Sequence, residues 1–152
     1  MTVKHVLTVS LLLLSLLPTH HRTVAQSQEP AKVFVYMLGH AKTLGRFSAK
    51  VFVDNKRVAE INKNRYFLLR LPPGNHEFYI KEKKLGGVQF TVEPGETYYL
   101  KVNIDEGTYF MRFRGLSIIP KEEGEFTVKQ LQPIKKNDIF DKSLVDQTVV
   151  SK

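Results

Sequence analysis

The chain has 152 residues and no cysteine. That single absence excludes disulfide staples, thiolate zinc sites, a cysteine nucleophile and the acylated cysteine of a bacterial lipoprotein. Tryptophan is also missing, so the aromatics are all Phe and Tyr, both good strand formers because flat rings pack on a pleated surface. No Asn-x-Ser/Thr triplet occurs, so nothing marks a glycosylated surface loop. The longest apolar run, Val6 to Leu17, falls short of the ~20 residues a membrane-crossing helix needs.

That run is preceded by Lys4 and His5, ended by Pro18 and followed by Thr23-Val24-Ala25. A basic start, an apolar middle and a small-residue end describe a secretory signal peptide over residues 1–25, with cleavage after Ala25. The competing readings are an uncleaved anchor and a buried helix. Cleavage removes Lys4 and Arg22 and no acid, taking the formal charge from +8 to +6. The expected product is a periplasmic or extracellular basic protein with no transmembrane segment. Without disulfides its hydrophobic core must hold it together, which ~100 residues can manage.

After a polar lead-in at residues 26–30, residues of period two recur between turn signals. Phe47, Ala49, Val51 and Val53 alternate with Ser48, Lys50 and Asp54, as one buried sheet face demands. Asp54-Asn55-Lys56 predicts a hairpin, since Asn tolerates the left-handed backbone that tight turns require. Tyr66 to Leu71 ends at Pro72-Pro73-Gly74, and His76, Phe78 and Ile80 then share a face. Val88, Phe90 and Val92 follow, before Pro94-Gly95. Tyr98, Leu100, Val102 and Ile104 point inward, with Thr97, Tyr99, Lys101 and Asn103 outward. The last clear alternation is Tyr109, Met111 and Phe113 against Phe110, Arg112 and Arg114.

From Leu116 the character changes. Pro120 followed by Glu122 and Glu123 predicts a short helix, with Pro at its first position and acids favoured by the helix dipole. Gly124 weakens it. The helix continues through Phe126 and Lys129 to Leu131, and Pro133 stops it. Residues 132–152 read as a flexible polar tail. The pattern is mainly β: one antiparallel β-sandwich of about seven strands with one short C-terminal helix, spanning residues 31–131, with a partly open barrel as the alternative.

Three motifs in this order look familiar. Val51 to Ala59 resembles the Asp-Gly-Lys hairpin of PEGA-type domains, Leu71 to His76 their Leu-Pro-Pro-Gly-x-His turn, and Val92 to Tyr99 the Gly-Glu-Thr-Tyr-Tyr stretch leading into the next strand. Their order is similar to that of the bacterial family catalogued as domain of unknown function 2846, a relative of PEGA domains, in which a short acidic helix sits where Glu122 to Gly124 sits here. The resemblance covers Ala31 to about Leu131. Asn55 stands where that family usually has Gly, and the lipoprotein cysteine is absent. The resemblance implies an extracytoplasmic, non-catalytic sandwich of PEGA-like or transthyretin-like type, and brings no known activity.

The residues themselves offer little chemistry. His40 and His76 lack the spacing of a metal site, and His76 is in phase with the core, so no metal and no cofactor is expected. Glu122, Glu123 and Glu125 suit a helix start, and Asp105-Glu106-Gly107 a turn. Ser48, Ser117 and Ser143 have no adjacent partner in sequence that would mark a nucleophile. No enzymatic activity is expected. The basic balance points elsewhere: Tyr99, Lys101, Phe110, Arg112 and Arg114 fall on outward positions of two neighbouring strands. They form a candidate ligand-binding face for an anionic glycan or lipid. Ordinary solvated charge is the competing reading. Two functions follow, an envelope interaction module using a sheet face, loops or a strand edge, and an anionic glycan- or lipid-binding protein. An unrecognised enzyme is third, and nucleic acid is not expected as a partner.

Overall fold

A computed structural model describes residues 28–39, 48–81, 85–106 and 111–151. The expected signal peptide with its Ala25 cleavage site, His40, Phe47 and Phe110 lie outside the described residues. Among those described, the chain forms β1 (Ala31–Met37), β2 (Ser48–Val53), β3 (Lys56–Asn62), β4 (Arg65–Leu71), β5 (Gly74–Ile80), β6 (Leu85–Val92), β7 (Thr97–Glu106) and β8 (Met111–Ile119). Helix α1 (Lys121–Val128) and the two-residue β9 (Gln132–Pro133) follow.

The strands make a β-sandwich of two sheets, ordered β8-β7-β1-β4-β9 and β3-β2-β5-β6. Most pairs are antiparallel, but β1 lies parallel to β7 and β4 parallel to β9. Period two sets the faces. Val33, Val35, Phe67, Leu69, Leu100 and Val102 of the first sheet meet Ala49, Val51, Val53, Phe78 and Ile80 of the second in one core. The hairpin at Asp54-Asn55 has φ of 48° and 67°, so both residues take the left-handed conformation of a type I′ turn. Asn55 thereby does what glycine would do there.

Two expectations need correction. The last strand does not end near Phe113. Its register slips between Asn103 and Ile104, where Gly115 faces Asn103 and Phe113 faces Ile104. This bulge at Arg114 breaks the alternation, and the strand resumes in phase through Leu116, Ser117, Ile118 and Ile119. Gly86 of β6 fits against it so closely that a Cβ on Gly86 would fall 2.5 Å from the Arg114 carbonyl oxygen. This draws the two sheet edges together.

The second correction concerns the flexible polar tail expected at residues 132–152, whose described part, residues 132–151, is packed on the sandwich. Residues 132–151 form a strap across the opposite side of the sandwich. Ile134, Ile139 and Val145 are buried in the main core, each worth ~1.5–3 kcal/mol by transfer from water. Isolated bridges join Ala59 to Ile139, Leu69 to Val145 and Lys135 to Ser151. The Phe140 and Asp141 amides both donate to the Val58 carbonyl, at 2.9 and 3.1 Å, and the Arg57 guanidinium stacks 3.5 Å from the Phe140 ring centre. Helix α1 starts as expected, except that Pro120 caps it from outside and Lys121 is its first residue.

Candidate interaction surface

The outer face of the β8-β7-β1-β4 sheet carries the outward residues of four strands. Across it Tyr99 lies opposite Phe34 of β1 and Ile119 of β8, and Lys101 opposite Tyr36 and Ser117. Helix α1 folds back onto this face. Tyr36, Tyr99 and Val128 form a second small core, with Phe34, Leu38, Tyr66, Ile119 and Leu131 packed around it. The Phe34 and Tyr99 rings stack 5.2 Å apart.

Gly124 makes this possible. It is buried against Tyr99, and a Cβ at that position would clash with the Tyr99 Cβ and Cγ and lie 2.7 Å from Cδ1. The residue that lowers helix propensity is therefore the one that lets the helix seat. Burial raises the Tyr36 hydroxyl pKa, reinforced by Glu123 and opposed by a hydrogen bond with Thr127. Burial likewise raises that of Tyr99, with Glu125 adding and Lys129 opposing.

The five residues expected to share a binding face are thus divided. Tyr99 is on the outward side of β7, but is only 5% exposed beneath α1. Lys101 is half-buried beyond the helix, and Arg112 and Arg114 are exposed on β8. Arg114 Nε donates to Asp105 Oδ2 at 2.5 Å, and its Nη2 is paired with the same oxygen. Asp105 holds the Arg114 guanidinium more firmly protonated than usual, and it also lies opposite Arg112 in the ladder. Asn103 donates to Ser117 Oγ at 2.7 Å in the same region. The result is a cationic strip containing one carboxylate, without the stacking aromatic that Tyr99 would have supplied.

Groups that could do chemistry are used to join elements. His76 is 8% exposed. Its Nδ1 lies 2.6 Å from Asp54 Oδ2 and its Nε2 2.8 Å from the Pro72 carbonyl, so both ring nitrogens are engaged. Asp54 Oδ1 accepts from the Glu77 amide at 2.9 Å. The ring therefore locks the β2–β3 hairpin to the β4–β5 turn. Ser48 donates to Glu60, Ser143 to Asp141 at 2.5 Å, and Ser117 accepts from Asn103, so among the described residues each of the three hydroxyls is engaged by a group other than histidine. Glu125 pairs with Lys129 at 2.7 Å, which lowers the carboxyl pKa. Among the described residues no group of three or more His, Asp or Glu side chains is placed to hold a metal ion, and no helix is long and apolar enough to cross a membrane.

Three exposed large apolar side chains, Phe140 beneath the Arg57 guanidinium among them, were not singled out by sequence reasoning as sites. Phe126 stands on the solvent side of α1 at 69% exposure, and Ile118 is 50% exposed on β8. For Phe126 a signal existed: it lies two residues from both Gly124 and Val128, the residues that face the sheet, which on a 3.6-residue repeat is the opposite side.

The described residues form a small β-sandwich with an eight-residue α-helix seated on the outside of one sheet and a strap along one side. The model of the protein family of unknown function DUF2846 matches residues 27–115, and the chain belongs to that family. The matched stretch ends inside β8, before α1 and the strap. No curated protein and no solved structure matches the chain.

Proposed function

We propose that the protein is exported and works in the cell envelope as a non-catalytic interaction module that docks on another protein. The observation that carries this reading is Phe126. A large aromatic side chain is held out to solvent by a helix whose other face is fixed to the sheet through Gly124 and Val128. Glu122, Glu123, Lys129 and Gln130 surround it in sequence and are exposed. An aromatic anchor on a rigid element with a polar rim is the usual form of a protein-binding hot spot. His76, Asp54, Ser48 and Ser143, the residues best suited to acid–base or nucleophilic work, are meanwhile committed to structural hydrogen bonds.

A second reading, binding of an anionic glycan or lipid surface, rests on the strip of Lys101, Arg112 and Arg114. Sedimentation of the protein with purified envelope fractions across a salt series separates the two. Docking on a protein predicts binding that survives salt, disappears when the envelope is first treated with protease, and weakens at least tenfold in Phe126→Ser, as loss of a hot-spot aromatic does. Binding that falls steeply with salt and is lost in Arg112→Ala/Arg114→Ala would favour the cationic strip. No sedimentation under any condition would sink both.

A further inference from the structure

Phe126 does not stand alone on the solvent side of α1. At ~100° per residue its flanking neighbours are Glu122 and Glu123 one turn before and Lys129 and Gln130 one turn after. A helical side chain leans toward the N-terminus, so the Phe126 ring lies over the turn that carries the two glutamates. The charges on its two sides are not equivalent. Lys129 is neutralised by Glu125 at 2.7 Å. Glu122 and Glu123 are exposed, and among the described residues no lysine, arginine or histidine is paired with either of them. Acids at a helix start suit the helix dipole, which accounts for their position in the chain but leaves their outward charge unmatched. The protein as a whole is basic, with 23 Lys and Arg against 15 Asp and Glu. Its aromatic anchor is thus set beside negative charge on a positive molecule.

We propose that the protein partner of α1 presents an apolar pocket for Phe126, with Lys or Arg on the side that meets the start of the helix. This rests on the docking reading above and adds the partner's charge to it. Phe126 supplies the desolvated contact that holds the complex, and the two carboxylates steer the encounter and fix which way the helix lies across the pocket. Rim charges of this kind act mainly on the association rate, whereas a buried anchor acts on the dissociation rate. The same charges disfavour an acidic surface as the partner, the α1 of a second copy included.

The test measures association and dissociation rates of the full protein, as the expressing cell processes it, on immobilised purified envelope fraction at low and high salt. Protease-treated envelope is the blank. Phe126→Ser should raise the dissociation rate roughly tenfold or more. Glu122→Gln/Glu123→Gln should slow association roughly three- to tenfold at low salt, leave dissociation nearly unchanged and flatten the salt dependence. A rim effect of that size leaves most of the binding intact at high salt. Lys129→Gln should do the opposite, because freeing Glu125 adds negative charge beside the anchor, and association should quicken roughly two- to threefold. An effect through helix stability predicts the contrary sign, since Lys129→Gln removes an i,i+4 ion pair and a cation near the helix C-terminus. Lys129→Gln also decides the matter if the double glutamine variant fails to fold. If Phe126→Ser changes neither rate, the docking reading falls and this inference falls with it. If Phe126→Ser releases the protein but neutralising the glutamates leaves association unchanged, or Lys129→Gln slows it, docking through Phe126 stands and the basic partner is overturned.

Discussion

At the scale of single residues, two positions show how local preference yields to packing. An alanine at Gly124 would gain ~1 kcal/mol of helix propensity, yet its Cβ would overlap the Tyr99 ring. Overpacking of that kind costs ~1–3 kcal/mol, and the nearest obstacles are the Cβ and Cγ of a buried side chain, which cannot swing aside. Gly124→Ala should therefore lower the stability measured by urea unfolding, by up to ~2 kcal/mol net. It should also lower the Tyr99 hydroxyl pKa toward its ordinary value as α1 lifts and water reaches the ring. Ultraviolet titration of the tyrosines reads that change directly. A more stable variant with unaltered titration would show that the helix is not seated through this glycine. The second position is His76. Replacing it with alanine removes its contacts to Asp54 and to the Pro72 carbonyl and should cost ~2–3 kcal/mol in chemical denaturation, while His76→Gln should recover part of that loss.

At the scale of elements, what was legible in the sequence was whatever repeats. Strands β2 and β4 to β7 and the Asp54-Asn55 turn follow from period two and turn chemistry, and the outward placement of Tyr99 is correct as arithmetic. Periodicity cannot say which later element folds over an outward residue, so the loss of Tyr99 from the candidate face was not legible. The second half of β8 was hidden by one extra residue at Arg114, which shifts the phase at the point where the alternation would be read. The strap was hidden for the opposite reason. Its core residues Ile134, Ile139 and Val145 are single anchors five and six residues apart on irregular backbone, with no period to detect and polar residues between them. Their burial makes the strap part of the fold. A chain ending at Leu131 loses all three, ~5–9 kcal/mol of gross transfer energy, partly offset by the released ordering entropy. Set against the ~5–15 kcal/mol that a domain usually has in total, truncation should leave a chain without a cooperative denaturation transition. A truncated chain that keeps one would reduce the strap to decoration. The Arg57–Phe140 stack should show a smaller coupling, ~0.5–1 kcal/mol in a double-mutant cycle.

At the scale of the whole molecule, the strap also sets how the protein responds to acid. Asp146 is buried, and its carboxylate accepts from the Thr148 amide and hydroxyl and from Arg70 Nε at 2.6 Å. The Thr148 hydroxyl is the largest cause of its lowered pKa, with Arg70 adding and burial opposing. Asp141, also on the strap, is lowered chiefly by the Ser143 hydroxyl. A carboxyl whose folded pKa lies below its unfolded value holds fewer protons folded than unfolded, so its stabilisation is complete above the ordinary carboxylate range and is lost as pH falls through the folded pKa. Both groups therefore make the fold weaker below about pH 4, where the excess of Lys and Arg also goes unopposed. Because Asp146 joins the strap to β4 through Arg70 and through its own amide bonded to Leu68, the strap should loosen before the sheets do. Hydrogen exchange at pH 3 is expected to lose protection at Val145, Asp146 and Ser151 while Val35, Leu69 and Leu100 stay protected. Asp146→Asn should be less stable than the parent at pH 7, with the difference shrinking toward pH 3, since the parent carboxylate is then being protonated as well. A difference that stays constant across that range would mean that Asp146 acts by shape alone, and that acid acts on the sandwich elsewhere.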